Sequence, residues 1–284
     1  MILLSLKFRV NGNSKNETGD EIEISWIESM RETSTEGLVN FWVNTTRLMG
    51  INKVSIVFYN SRLTQHEEIL SQLENEAEVV EYSDDIERFE SIIKRDMYRS
   101  LIEDGKKYSE MMCSYGYIFL VSLLEFYISD IVKYIFSENT NILKSEKKLN
   151  YEEILSYNTI EGLYEYMIER ECESLGYKSY EEIKKYFNGK FKIDFTNLKG
   201  ENEVNSIFEI RNILVHNRGI VNEKFLSKIK DSKYKLGDKI TLNQNDVDSA
   251  ISMLRALTYY IDTRAMELVG EDVSSKDPDT KCPG

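Results

Sequence analysis

Residues 209–221 read Glu-Ile-Arg-Asn-Ile-Leu-Val-His-Asn-Arg-Gly-Ile-Val and hold the side chains of this sequence best suited to chemistry. Arg211 and Asn212 precede His216 by five and four residues. An imidazole, with an unperturbed pKa of about 6.5, can take or give a proton at neutral pH. A guanidinium fork can hold a phosphate and offset charge developing on it. An amide can position such a group or fix the orientation of the ring. Together these residue types suit proton transfer beside a phosphoryl group. The plainer alternative is a histidine settled near a helix end, where the negative end of the dipole favours it, with Asn212 as helix-surface polarity. Spacing adds a condition. On an ideal helix Asn212 and His216 share a face, whereas Arg211 and His216 lie about 140° apart. Arg211 must therefore reach round, or the helix must loosen before Gly219.

Charge is distributed unevenly around this segment. Between Lys178 and Lys239 there are 14 basic and nine acidic residues, a balance of +5. The whole chain of 284 residues carries −13, so the remainder carries −18. A charge run can be a solvated face, or a local surface for a polyanion on an otherwise repelling protein. Lys184, Lys185 and Lys190 are the candidate contacts within it, and Arg218 is another.

Composition excludes several classes. Hydrophobic residues make up 41% and charged residues 30%, the balance of a globular chain. The most apolar stretch, residues 115–136, is interrupted by Glu125, Asp130 and Lys133, which argues against a membrane span. Residues 1–4 are too short an apolar start for a secretion signal. Three scattered cysteines and two histidines give no disulfide framework and no zinc-ligand spacing. The expectation is a cytoplasmic, acidic protein without metal or cofactor.

The elements that must position the motif are mostly helices. Both prolines, Pro278 and Pro283, fall in the polar tail of residues 274–284, which reads as disordered. Residues 85–112 are amphipathic and charged. Residues 115–136 are apolar nearly all round, which predicts a central buried helix. Further helices are expected over 151–175, 182–187, 202–215 and from 245 or 246 to about 268. Residues 233–242 suggest a small hairpin turning at Gly237-Asp238. Residues 1–80 differ. Alternation over 4–10 and 21–26 predicts strands, and residues 53–59 form a β-branched and aromatic run. Helices are expected over 37–49 and 64–73, the second starting at a Thr cap. The fold class is thus mainly α, a helical domain over 85–268 preceded by a small α+β unit.

The Arg–His segment resembles the active-site signature of the HEPN superfamily, an Arg and a His separated by four to six residues of which the first is usually polar. The closest likeness is to the RiboL-PSP-type HEPN domain. It extends to residues 207–210 before the Arg, 217–221 after the His, Ser122-Leu123-Leu124-Glu125 on the upstream helix and, more weakly, the hairpin around Gly237. The resemblance covers roughly residues 85–268. It implies a helical bundle that pairs through its motif helices, so that two copies line one cleft. It implies a metal-independent endoribonuclease of toxin–antitoxin or antiviral systems, with RNA as substrate, a homodimer as the working form and an antitoxin or regulatory protein as partner. RNA would supply its own nucleophile, the 2′-hydroxyl. Arg218 departs from those HEPN toxins that carry a Tyr there as a target for modification. The competing expectation is a catalytically silent HEPN module that binds RNA or protein and dimerises.

Overall fold

In the computed structural model, the described residues are 27, 30–77, 85–143, 148–176, 178–229 and 232–274. They are mainly helical. The strands expected over 4–10 and 21–26, and the tail beyond 274, lie outside them.

Two long antiparallel helices, α1 (Glu36–Ala77) and α2 (Asp85–Glu138), form the spine. Residues 53–59, expected as a β-like run, are helical and sit in the middle of α1. Their β-branched residues fit a helix because Asn52, Ile56, Tyr59 and Leu63 recur at helical spacing, and this side meets α2. Tyr59 stacks on Tyr108. Leu63 lies beside Gly105, and Asn52 against Gly116. A Cβ on Gly116 would collide with the Asn52 side-chain amide, so glycine here lets Asn52 lie directly against α2. The Thr cap expected at residue 64 is likewise interior; its hydroxyl donates to the carbonyl of Asn60 at 3.1 Å.

α2 runs unbroken through both helices expected over 85–136. Residues 115–136 are its most enclosed part, with Leu120, Leu124, Ile131, Ile135 and Phe136 fully buried. Around this half pack α4 (Ile160–Leu175), α5 (Tyr180–Phe191), α6 (Glu201–His216) and α8 (Gln244–Ser274). Leu38 and Phe41 of α1 join the same core. The helix expected over 151–175 is two. α3 (Tyr151–Leu155) starts at a capping box in which Asn150 and Glu153 exchange side-chain-to-backbone bonds of 2.8 Å. Thr159 then caps a new start, accepting from the Gly162 amide at 3.1 Å.

Polar ties fix α8 on the spine. The Tyr127 hydroxyl donates to the carbonyl of Thr258 at 2.8 Å. Arg255 lies over the Trp42 ring and donates to the Trp42 carbonyl at 3.0 Å. The buried Asp262 carboxylate accepts from both the amide and the hydroxyl of Thr35.

The segment over 233–242 turns at Leu236-Gly237, one residue before the expected Gly237-Asp238, with Gly237 at φ +85. It does not pair with itself. Its return strand pairs with residues 219–221: Val221 donates to Asp238 O, Gly237 to Val221 O and Ile240 to Gly219 O, at 2.8, 3.0 and 2.8 Å. Burial of Val221, Ile240 and Leu242 in the common core favours this pairing over a local ladder.

Candidate functional site

α6 is pinned by a buried stripe of Val204, Ile207, Phe208 and Ile213. That stripe fixes the rotation of the helix and so decides where each motif residue points. The helix stays regular through His216. The Asn217 and Gly219 amides both donate to the carbonyl of Ile213, each at 3.0 Å. The loosening that would bring Arg211 round to His216 is absent.

Arg211 turns toward α2. Its Nη2 donates to Glu125 Oε1 at 3.4 Å, and its Nη1 to Asn212 Oδ1 at 3.5 Å. Its Nε is buried with no acceptor among the described residues. Burial pushes the Glu125 carboxyl above the usual range, and the Arg211 charge partly pulls it back. Glu125 also lines a hollow of about 440 Å³ between α2 and α4 that His216 does not reach.

His216 and Asn212 share the other side of α6. They line a cleft of about 370 Å³ whose far wall is α7 (Glu223–Lys228), a short helix that the sequence pattern did not indicate. Asn222 caps α7 by accepting from the Phe225 amide at 2.9 Å, and Phe225 anchors it in the core. Asn205 holds its other end through the Lys228 carbonyl at 3.3 Å. Lys224 and Lys228 thereby stand at the cleft. Lys228 pairs with the buried Glu209 carboxylate at 2.5 Å. His216 is exposed, and its ring has no hydrogen-bond or ion-pair partner among the described residues. No protein-family model, curated protein or solved structure matches this chain.

The remaining candidates are dispersed. Arg218 adopts φ +54, a left-handed backbone that costs a non-glycine residue roughly 1–2 kcal/mol, and its side chain is exposed. Gly219 follows at φ +78 with the Ile240 carbonyl 3.5 Å from where its Cβ would be. Lys184 is engaged rather than free: it bonds the carboxylates of Glu181 and Glu201 and lies 5.6 Å from the Tyr180 ring centre. It ties α5 to the first turn of α6. Lys190 sits 5.9 Å from the Phe136 ring centre, and Lys185 is exposed.

Sequence reasoning missed Glu209, Lys224 and Lys228. Glu209, Asn212 and His216 are spaced i, i+3, i+7, so their common face was readable. The lysines reach it only because α7 folds back, which no local pattern encodes. Among the described residues, no group of three or more His, Cys, Asp or Glu is placed to hold a metal ion, and no helix is long and apolar enough to cross a membrane.

Proposed function

We propose that this protein is a metal-independent endoribonuclease of the HEPN type, acting in toxin–antitoxin or antiviral defence. One observation carries the reading: an unpartnered, exposed His216 lies on the same helix face as Asn212, in a cleft edged by Lys224 and Lys228. This arrangement supports binding of a phosphodiester with a proton-transfer group beside it. Lys224 attracts the backbone, and Asn212 positions either the phosphate or the ring. His216 takes the proton of the 2′-hydroxyl or gives one to the leaving 5′-oxygen.

Arg211 points about 140° away from His216, so the single chain does not offer both to one phosphate. Pairing of motif helices between two copies supplies the missing group: the Arg211 of one copy reaches a phosphate held by the His216 of the other. The Arg211–Glu125 contact, at 3.4 Å and partly exposed, is weak enough to be exchanged for a phosphate.

Cleavage should leave a 2′,3′-cyclic phosphate and a 5′-hydroxyl in the presence of EDTA. His216→Ala should abolish it, and Arg211→Ala should lower the rate by roughly 10²–10³. A 2′-deoxy nucleotide at the scissile position should block cleavage while leaving phosphate contacts largely intact. Equal cleavage by wild type and His216→Ala, or cleavage of the deoxy-substituted strand, overturns the reading. The neutralisation of Lys228 by Glu209 and of Arg211 by Glu125 favours the second reading, a silent module. It is the outcome if RNA binds in a salt-dependent way and is not cut.

A further inference from the structure

The chemistry of α6 leaves a long exposed apolar feature among the described residues unexplained. Along α2, eight large apolar side chains between 41% and 68% exposed fall within about 40° either side of one line down the helix. That line lies about 100° round the helix from Gly116, which faces α1, so α1 borders it only at Tyr108, on which Tyr59 stacks. It spans 41 residues from Ile86 to Phe126, about 60 Å. A solvated helix of an acidic protein has no reason to keep such a seam bare.

The order of residues along the seam identifies its occupant. Reversed about the level of Lys106, the seam maps onto itself: Ile86 meets Phe126, Ile93 meets Phe119, Met97 meets Tyr115 and Leu101 meets Met111. The polar interruptions obey the same reversal. Glu90 falls opposite Ser122, a carboxylate against a hydroxyl, and Asp104 falls opposite Tyr108, whose ring is held by Tyr59. A two-fold contact demands this self-complementarity, because the same surface serves both partners. The size is also adequate. A seam about 60 Å long and about 10 Å wide covers roughly 600 Å² per copy, near the ~800 Å² of a stable interface. Phe58 of α1, in contact with Tyr59, which stacks on Tyr108, widens it.

We infer that the seam of α2 is an interface with a second copy of this chain, packed antiparallel about a two-fold axis at the level of Lys106. The contact uses α2 rather than the motif helix, and it holds whether or not the motif cleaves RNA.

Mass in solution and cross-linking test it without reference to activity. The wild type should exceed the mass of a single chain. The Met97→Glu/Tyr115→Glu double variant should halve the wild-type mass, whatever contact the motif helices add, with its helical circular dichroism retained because both side chains are already about half exposed. In a Cys282→Ser background, chains carrying Leu101→Cys mixed with chains carrying Met111→Cys should form a disulfide-linked dimer on oxidation. Neither should do so alone, since residues ten positions apart along the pair are separated by about 15 Å, beyond disulfide reach. A wild type that stays monomeric at all concentrations overturns the inference and leaves the seam to a different partner. A dimer that ignores the double variant overturns it too, as do cross-links formed by either cysteine chain alone.

Discussion

The two halves of α2 are the same secondary structure in opposite surroundings. From Ile86 to Met112 only Ile102 is buried, and the helix packs on α1 with one further tie, Lys239 to Glu110; from Cys113 to Phe136 it is enclosed, outside the seam, by α1, α4, α6 and α8. Helix propensity and spacing act equally on both. Packing density does not, and most helical stability in proteins comes from packing rather than propensity. The first half is therefore a surface held in shape by its pairing, and the second is the core on which the motif helix is seated.

The largest test of that contrast replaces one isoleucine in each half. Ile131→Ala, at a fully buried position, should cost about 2–5 kcal/mol. Ile92→Ala, exposed and off the seam, should stay within about 0.5 kcal/mol. Urea titration of both variants measures the difference, and equal losses would erase the distinction between the halves.

A smaller effect separates the polar contacts of the bundle around the second half of α2 from those of the arm, where α1 pairs with the first half. Burial raises the Asp262 carboxyl, while its bonds from Thr35 oppose the rise. A carboxyl raised in the folded state favours folding while protonated. That contribution is complete below the unfolded carboxylate pKa and is lost as pH rises through the folded one. Asp262→Asn should remove this dependence, so its stability relative to wild type should improve as pH climbs through the carboxylate range. Denaturation midpoints across that range check it, and parallel curves would contradict it.

The smallest effect belongs to the exposed pair Arg99–Glu74, 2.7 Å apart where α1 and α2 cross in the arm. Glu74→Gln should leave the urea midpoint unchanged within error, because solvent screens such pairs. A loss comparable to that of Ile131→Ala would mean that the arm is held by its ion pairs instead of its apolar face.

Several of these features were legible beforehand and several were not. The buried run over residues 115–136, the final helix and the motif helix follow from apolar spacing, which persists whatever surrounds it. The common face of Asn212 and His216, and the divergence of Arg211, follow from helix geometry alone. Residues 53–59 misled because β-branched and aromatic residues mark strands only when their alternation is buried on one sheet face. Here Asn52, Ile56 and Tyr59 meet α2 at helical spacing, and pairing with that helix overrides propensity. The separation of α3 from α4 was readable in the Thr159 cap.

By itself, then, the sequence determined most of the helical stretches, the apolar face of each, and that Arg211 and His216 diverge on any regular helix, since all three depend on residue order and a fixed pitch; that the helix stays regular there is a finding of the structure. Only the tertiary structure decided that residues 233–242 pair with 219–221 rather than with themselves. It also decided that α7 carries Lys228 onto Glu209 and that Arg211 meets Glu125. These contacts join residues 16 to 86 positions apart, and loop closure over such separations is settled by which apolar surfaces find burial together, a property of the whole chain and of no segment within it.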